Sequence, residues 1–337
     1  MSWQGSSKGN AHEFAGYGLP IADQIQKKPM MKPLAVSLGD PAGIGPEIVA
    51  RALTGFKPRG GTLLFGDPNS VPKRWRSGLK ACVWRPLVAG AWTPGRPSAA
   101  SGEAAFQSVT RSAKAVLAGE ARALVTAPLS KEALHLAGRH WPGHTELLAH
   151  LAGKRADEVG MLLVGGGLRV FLITRHCSLK QALAALKVPV LDQALSVCVR
   201  GLRGTLGLRH PRLALAALNP HAGENGAFGS EERSLLNPWV RARARTRTFL
   251  LEGPFPADTV FVRAVRGAYD AVLCLYHDQG LIPLKLLAFD SGVNITLGLP
   301  FVRTSPDHGT AWDLAGKGTA NPLAMLEALR LADRHGV

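Results

Sequence analysis

Short apolar runs alternate along the chain with longer stretches in which apolar residues recur every three or four positions. Runs of four to eight apolar residues predict strands, and the longer amphipathic stretches predict helices. The predicted strands are Leu34–Leu38, Thr62–Phe65, Ala123–Thr126, Met161–Val164, Val170–Ile173, Leu213–Leu218, Ala271–Tyr276 and Asn294–Leu297. The predicted helices are Glu103–Ala118, Lys131–Ala137, Thr145–Leu151, Val190–Leu202, Glu231–Val240 and Leu323–Ala332. This alternation is typical of a layered α/β fold with a mainly parallel sheet.

Several predicted strands run directly into polar turns that contain glycine or proline. These turns are Gly39-Asp40-Pro41, Asn219-Pro220-His221 and His277-Asp278-Gln279-Gly280. Ligands of open α/β sheets bind beyond the carboxyl ends of the strands. We therefore expect the functional residues at that end of the sheet.

Three histidines follow predicted strands, namely His176, His221 and His277. Three imidazoles from separate strand ends can bind a divalent metal and leave coordination positions open, as in catalytic zinc sites. The spacing alone favours such a site no more than three separate hydrogen-bonded loop histidines. In a metal site, Asp278 and Glu224 would be candidates to orient the imidazoles.

A second group of polar residues suits an anionic ligand. Thr145 is predicted near the N-cap of a helix, where free backbone amides attract phosphate or carboxylate. Lys285 and Arg303 flank the strand that carries Asn294 and can converge on one anionic group. Asp258 follows a turn rich in proline and glycine, and is either a helix cap or a proton carrier. An ordinary capped helix and solvated surface cations would explain the same residues, so both interpretations stay open.

Composition and charge narrow the possible functions. The chain has 337 residues, 46% hydrophobic and 19% charged, which allows two domains with sizeable cores and excludes wholesale disorder. Its 40 basic and 24 acidic residues give a net charge of +16, which suits nucleic acid, an anionic membrane or anionic small substrates. Aromatic residues are only 6%, so stacking platforms for single-stranded nucleic acid are few. The alternating arginines from 241 to 247 are typical of a solvated basic surface.

The cysteines and the N-terminus indicate a compartment. Cys82, Cys177, Cys198 and Cys274 form no CxxC pair, and Cys198 and Cys274 lie in apolar runs typical of buried thiols. No apolar run reaches the roughly 18 residues that span a bilayer, and the start lacks the pattern of a signal peptide. Residues 1–31 lack periodicity and are predicted to be a disordered leader or to precede the true start. We expect a cytoplasmic protein.

Several common catalytic motifs are absent from the sequence. It contains no GxGxxG dinucleotide fingerprint, no GxxxxGK phosphate loop and no HExxH, and its one GxSxG match, Gly5-Ser6-Ser7-Lys8-Gly9, lies in the N-terminal leader and follows no predicted strand. A standard Rossmann dehydrogenase, a P-loop NTPase and an α/β-hydrolase are therefore disfavoured.

Seven segments, in one order from residue 33 to about residue 330, carry a resemblance to a known family. They are Gly39-Asp40-Pro41-Ala42-Gly43-Ile44-Gly45-Pro46-Glu47, Thr126-Ala127-Pro128, Pro142-Gly143-His144-Thr145-Glu146, Leu218-Asn219-Pro220-His221-Ala222-Gly223-Glu224, Gly253-Pro254 with Ala257-Asp258-Thr259, Tyr276-His277-Asp278-Gln279-Gly280, and Ser305-Pro306-Asp307-His308-Gly309-Thr310. Together they resemble the 4-hydroxythreonine-4-phosphate dehydrogenase family of pyridoxal phosphate biosynthesis. The segment 68–97 and the sequence Cys177-Ser178-Leu179 depart from the family's pattern.

The resemblance implies an architecture. The family has two α/β/α lobes like those of isocitrate and isopropylmalate dehydrogenases, with the active site in the cleft between them. It binds a dinucleotide without the Rossmann fingerprint and forms a homodimer with shared active sites. The implied division is residues 32–126 with 286–337 in the first lobe, and 127–285 in the second lobe with the metal site and the dimer contacts.

The resemblance also implies roles for individual residues. His176, His221 and His277 would hold one divalent metal, either zinc, cobalt or magnesium, with ligands contributed across the dimer interface. His144, Thr145, Lys285, Asn294 and Arg303 would bind the phosphorylated substrate. Ser305, Asp307, His308, Gly309 and Thr310 would bind the adenosine end of NAD or NADP. Lys285 or Asp258 would carry the proton.

The implied reaction is the NAD(P)-dependent oxidation of 4-phosphohydroxy-L-threonine at its 3-hydroxyl. The resulting β-keto acid loses carbon dioxide and gives 3-amino-2-oxopropyl phosphate. One alternative is a paralogous dehydrogenase of a four-carbon sugar-acid phosphate or of a cyclic diol carboxylate. Weaker alternatives are a metal-dependent hydrolase and a nucleic-acid-binding protein. We expect neither nucleic acid nor a membrane as partner.

Overall fold

The predicted alternation of strands and helices is present throughout the part of the chain that the structure describes. The structure is a computed structural model and describes residues 31–87, 90–244 and 246–336. Its strands are β1 Leu34–Ser37, β2 Thr62–Gly66, β3 Val83–Pro86, β4 Ala123–Thr126, β5 Gly160–Gly165, β6 Leu168–Leu172, β7 Arg212–Ala216, β8 Leu250–Phe255, β9 Ala271–Cys274, β10 Val293–Leu297 and β11 Val302–Pro306. Its α-helices are α1 Gly45–Gly55, α2 Ala99–Leu117, α3 Lys131–Leu136, α4 His144–Leu151, α5 Leu179–Ala185, α6 Val188–Gly204, α7 Asn237–Arg243, α8 Ala257–Val265, α9 His277–Ala288 and α10 Leu323–His335.

Within the described residues, eleven strands form one sheet in the order β3-β2-β1-β4-β11-β10-β5-β6-β9-β7-β8. The strands from β3 to β11 in this order are parallel to one another, and so are the four strands from β6 to β8. Between the two groups, β10 is antiparallel to β11 and β5, and β5 is antiparallel to β6. The two parallel groups therefore run in opposite directions, and their carboxyl ends lie at opposite ends of the sheet.

Side chains of successive strand residues alternate between the two faces of the sheet, which accounts for its helical layers. In β1, Leu34 and Val36 join one core cluster with α1 and α10, whereas Ala35 joins another with α2. In the second group of strands, Leu213 packs with α6, whereas Ala214 packs with α8 and α9. Helices thus cover both faces of the sheet, and the predicted α/β class is confirmed. The boundaries of the two lobes remain a prediction.

All eight predicted strands and the six predicted helical regions are present; β4 has the predicted bounds, and the other elements have shifted ends. The region Glu231–Val240 is divided into a π-helical turn, Glu232–Leu236, followed by α7. Three strands (β3, β8, β11) and four helices (α1, α5, α8, α9) were not in the predicted set. The predicted turn from His277 to Gly280 is wrong, because these residues form the first turn of α9.

Further sequence predictions concern the N-terminal leader, the arginine run, the cysteines and membrane-spanning helices. The predicted leader, apart from Met31, and Arg245 of the arginine run lie outside the described residues. Cys198 and Cys274 are buried, as expected, and Cys177 is exposed. Among the described residues, no single helix is long and apolar enough to span a membrane, although α5 and α6 meet the criterion as a pair bent by 95°.

A buried ion pair joins the start of β4 to the last helix. Arg122 is 5% exposed, pairs with the Asp333 carboxylate and donates to the backbone carbonyls of Asp333 and Lys32 at 3.0 and 2.9 Å. Burial opposes ionisation of Asp333, but hydrogen bonds from Arg59 and Arg122 outweigh it and hold the pKa of Asp333 below its usual value. This network fixes α10 against the first group of strands.

We expect Arg122→Met to lower the free energy of unfolding by about 3 kcal/mol at pH 7, because it leaves a buried carboxylate with one exposed partner. Urea denaturation would measure the change. Arg330→Met is the matched control, because Arg330 pairs with Glu327 at the surface and its loss should cost less than about 1 kcal/mol. Equal losses in the two variants would contradict the prediction. Since the folded-state pKa of Asp333 is depressed, its contribution is complete above about pH 4 and is lost as the pH falls through that pKa.

Candidate active site

A cavity of about 320 Å³ lies across the central strands of the sheet. Met161 of β5, Asn294 of β10 and Arg303 of β11 form its wall. Residues from both ends of the sheet complete it: His176 and His277 follow β6 and β9, and the segment 307–309 follows β11. These residues follow the carboxyl ends of their strands, as expected, but the carboxyl ends do not lie at one end of the sheet, because the strand direction reverses in the centre.

Arg303 is the most deeply buried cation of this cavity. The residue is 1% exposed; its Nη1 donates to Thr296 Oγ1 at 2.9 Å and its Nη2 to Thr126 Oγ1 at 2.6 Å. Burial lowers the pKa of Arg303 to about 9, so the guanidinium remains charged at neutral pH, and the charge of Glu146 opposes that shift. Arg303 Nε is buried and has no hydrogen-bond partner within the described residues. The wall thus presents a positive charge to whatever fills the cavity.

His144 and Asn294 carry further buried atoms without a partner. His144 Nε2 and Asn294 Oδ1 make no hydrogen bond to any residue that the structure describes. Burial and the nearby charge of Arg303 lower the pKa of His144 well below its usual value, which leaves a neutral imidazole. Polar atoms in such positions are normally satisfied by a ligand or by water. The cavity therefore has the character of a binding site for a polar, anionic molecule.

Thr145 lies beside His144 at the start of α4. It is 5% exposed and occupies the second position of the helix, whose N-cap is Gly143. Thr145 is thus not itself the capping residue. The first turn of α4 faces the cavity through residues 143–146, which places a helix N-terminus at the anion-binding wall.

Lys285 approaches the same site through Asp307. Its Nζ lies 2.9 Å from Asp307 Oδ2 and donates to the backbone carbonyl of Asp307 at 2.6 Å. Asp307 lines the cavity, whereas Lys285 is outside the set of described residues that line it. The ammonium group is therefore held at the rim of the cavity by an acidic neighbour.

Two of the three predicted metal ligands meet in the cavity. The ring centroids of His176 and His277 are 5.5 Å apart. His277 Nδ1 lies 2.7 Å from Asp278 Oδ1, as expected for a carboxylate that orients a metal-binding imidazole. Partial burial, together with the charges of Lys131 and His277, lowers the pKa of His176 and favours its neutral form. Two imidazoles in contact fit a divalent metal, although no group of three or more His, Cys, Asp or Glu residues in the described ranges forms a complete site.

His221 lies outside this cavity, in a turn of unusual backbone conformation. Residues 221–225 all have positive φ, between 37° and 79°, and only Gly223 among them is a glycine. The left-handed conformation costs an L-residue roughly 1–2 kcal/mol. The buried Glu232 holds the turn: its carboxylate accepts from the amides of Leu218 and Asn219, each at 2.8 Å, and from Asn219 Nδ2 at 2.8 Å. These hydrogen bonds hold the turn that contains His221 beside α8.

Asp258 also lies apart from the other predicted site residues. It is the second residue of α8, whose N-cap is Pro256, so its predicted role as a helix cap is wrong. Asp258 is exposed and lines a groove between α8 and α9. Within a single chain, the Asp258 carboxylate therefore does not line the cavity that contains Arg303 and His144.

The predicted nucleotide segment packs against the loop after β1. Ser305 lies within β11, and the residues that follow the strand, Asp307, His308 and Gly309, line the cavity. The carbonyl of Thr310 accepts from the amide of Ile44 at 3.0 Å, and a side chain at Gly43 would come within 2.9 Å of Thr310 Cβ. Because Gly43 has no side chain, the loop after β1 can approach the segment after β11 closely.

Four residues of the site had no predicted role. Lys131 and Glu146 line the cavity, and Thr126 and Thr296 hold Arg303. Thr126 and Glu146 belong to segments that carried the family resemblance, and the position of Thr126 at a strand end was a signal that could have indicated a role. Thr296 lies within a strand, and only the cross-strand geometry reveals its contact.

Comparisons with known proteins identify the relatives of this chain. The family model described as "Pyridoxal phosphate biosynthetic protein PdxA" matches residues 69–332. A 4-hydroxythreonine-4-phosphate dehydrogenase from Beijerinckia indica is 42% identical over 322 residues, which cover 90% of this chain and 94% of that protein. The crystal structure of the enzyme of that name from Klebsiella pneumoniae has a TM-score of 0.78 and 40% identity, and covers 90% of this chain and 99% of its own. A terephthalate 1,2-cis-dihydrodioldehydrogenase from Burkholderia xenovorans is more distant, with a TM-score of 0.63 and 31% identity over 90% of this chain and 98% of its own.

Proposed function

The chain belongs to the family of the pyridoxal phosphate biosynthetic protein PdxA, and on that premise we propose that its central cavity oxidises 4-phosphohydroxy-L-threonine with a nicotinamide cofactor. The observation that carries the proposal is the buried, charged Arg303 beside two other buried atoms without partners. A phosphorylated substrate would supply the anion and the hydrogen bonds that this wall lacks.

Each side of the cavity has a distinct task in binding this substrate. Arg303 and the N-terminus of α4 would hold the phosphoryl group, because both present N–H donors and positive charge. Lys285, fixed by Asp307, would bind a second anionic group of the substrate at the rim. His144 and Asn294 would orient the polar groups between them. Such orientation is itself a large part of catalysis, because it brings the reacting carbon to one fixed position.

The reaction removes a hydride and a proton from the 3-hydroxyl carbon and its oxygen, and gives a β-keto acid that loses carbon dioxide. When bound, a divalent metal held by His176, His277 and His221 would polarise the hydroxyl, and the nicotinamide, NAD or NADP, would accept the hydride. The segment from Ser305 to Thr310 would bind the adenosine end of the dinucleotide. The carboxylate of Asp258, or Lys285 in its deprotonated amine form, would take the hydroxyl proton.

The active enzyme would be a homodimer whose subunits complete each other's sites. The groove between α8 and α9 measures about 600 Å³, and Val262, Ile282 and Leu286 in its wall are 51, 61 and 83% exposed. Monomeric proteins seldom expose a continuous apolar surface of this kind. Because α9 also carries His277 into the cavity, a second copy on this groove would lie next to the site. It would bring the missing His221 and Asp258.

NADH formation tests the proposed function directly. We expect the purified protein to reduce NAD or NADP with 4-phosphohydroxy-L-threonine, to lose this activity on chelation, and to regain it with zinc, cobalt or magnesium. His221→Ala should abolish the restored activity. A four-carbon sugar-acid phosphate and a cyclic diol carboxylate serve as competing substrates, and the reaction without nicotinamide controls for hydrolysis. Turnover of another hydroxy acid, with none of the phosphorylated threonine, would overturn the substrate assignment.

We also propose that the protein is located in the cytoplasm.

A further inference from the structure

Within the described residues, two hydroxyls and no carboxylate accept hydrogen bonds from the guanidinium of Arg303. Thr126 at the end of β4 and Thr296 in β10 accept from its two terminal nitrogens at 2.6 and 2.9 Å. Both threonines are buried, at 0 and 2% exposure. The three residues come from neighbouring strands, because β11 pairs with β4 on one side and β10 on the other. The sheet itself therefore fixes the orientation of the guanidinium.

The choice of hydroxyls has an electrostatic consequence. A carboxylate in either position would orient the guanidinium equally well, but would neutralise its charge before a ligand arrived. A threonine hydroxyl satisfies the N–H donor without neutralising the positive charge, which Glu146 offsets only in part and without a hydrogen bond within the described residues. Arg122 shows the opposite arrangement, because its guanidinium pairs with the Asp333 carboxylate and serves to stabilise the fold.

From this geometry we propose that Thr126 and Thr296 are positioning residues that orient Arg303 for the phosphoryl group of the substrate and determine the preference for a phosphorylated ligand. This inference deepens the proposed function and rests on it. The hydroxyls touch neither the reacting carbon nor the cofactor. They act through Arg303, so their removal should weaken binding of the phosphoryl group and leave the chemical step largely intact.

Isosteric substitutions test the proposal. Thr126→Val and Thr296→Val should each raise the Kd for inorganic phosphate, measured by calorimetry, and the KM for 4-phosphohydroxy-L-threonine by about tenfold. The kcat should change less than about threefold. Thr126→Ser restores the hydroxyl and should bring both constants back to within about twofold of the wild type.

Thr304→Val is the matched control. Thr304 lies in β11 beside Arg303, is 0% exposed, and donates to the backbone carbonyl of Ala328 at 2.8 Å, away from the guanidinium. Its loss should lower the melting temperature without changing the phosphate Kd or the KM. An equal rise of KM in Thr304→Val, or a fall of kcat with KM unchanged in Thr126→Val, would overturn the proposal.

The two binding readouts separate this inference from the proposed function. If the wild type binds inorganic phosphate through Arg303 and both threonines but does not oxidise the phosphorylated threonine, the substrate assignment fails and the positioning role stands. If the wild type oxidises that substrate and the double valine variant retains the wild-type phosphate Kd and KM, the positioning role fails and the function stands.

Discussion

Leu286→Asp is expected to yield a folded monomer with less than about a thousandth of the wild-type activity. Leu286 is 83% exposed on α9, so an aspartate there costs the isolated subunit little. In a dimer formed across the α8–α9 groove, each copy would bury an unpaired carboxylate against apolar side chains, which costs several kcal/mol. Without the second subunit, the cavity keeps His176 and His277 but lacks His221 and Asp258. Analytical ultracentrifugation and NADH formation would measure the two effects.

A control substitution distinguishes this effect from a general response to an added charge. Leu117→Asp places the same aspartate on α2, at a residue 42% exposed and away from the groove. This variant should remain dimeric and active. A Leu286→Asp protein that sediments as a dimer would refute the placement of the interface. A monomer with full activity would refute the sharing of sites between subunits.

Arg303→Met is expected to reduce kcat/KM for the phosphorylated substrate by roughly 30- to 5,000-fold and to leave the ligand-free protein as stable as the wild type, or more stable. The loss follows because a desolvated hydrogen-bonded charge pair contributes roughly 2–5 kcal/mol to binding. The stability follows because Arg303 buries a charge with no carboxylate hydrogen-bonded to it among the described residues, and an apolar side chain of similar length removes that cost. Steady-state kinetics and thermal denaturation, with and without phosphate, would measure both.

The other buried arginine provides the comparison. Arg122→Met should destabilise the protein and leave the KM unchanged, the reverse of the pattern in Arg303→Met. Phosphate should raise the melting temperature of Arg122→Met but not that of Arg303→Met, because a ligand stabilises only a protein that binds it. A large loss of stability in Arg303→Met, with KM unchanged, would show that this guanidinium is a structural group.

The strands that apolar patterning could not predict are those in which polar contacts replace apolar packing. β11 contains Arg303, Thr304 and Ser305, all buried, and the side chains of Arg303 and Thr304 donate to residues of other elements, namely Thr296, Thr126 and Ala328. β3 has mostly exposed residues at the sheet edge, and β8 includes Gly253 and Pro254, which are uncommon in strands. Periodicity reflects the burial of apolar side chains, so it predicts no strand or helix where that burial is absent or irregular.

Helix α9 illustrates a second kind of failure. Gly280 and Pro283 lie within it, and both residues argue against a helix in local terms. The tertiary setting overrides them: Gln279 is buried, accepts from the amide of Leu275 at 2.7 Å and donates to the carbonyl of Ala217 at 2.6 Å. Sequence motifs identified His277 as a site residue, yet they could not show that it begins a helix whose other face forms the groove.

For the candidate site as well, the sequence identified residues but did not predict their geometry. The family resemblance placed His144, Asn294 and Arg303 at one site, and the structure brings them to one wall. Neither the resemblance nor the pattern indicated that the two halves of the sheet run in opposite directions. Strand direction depends on pairing between distant segments, such as β10 with β5, which local sequence does not encode.

The contact of the chain's last helix with its first strands has a consequence for folding during synthesis. β4 pairs with β11, and Arg122 reaches Asp333 only after more than 200 further residues have been added. Strands β1 to β4 therefore leave the ribosome before β11 and α10 exist, and their apolar surface stays open until β11 and α10 arrive. Contacts of such long sequence separation slow folding and prolong the exposure of apolar surface. The core around the N-terminal strands can therefore be completed only near the end of synthesis.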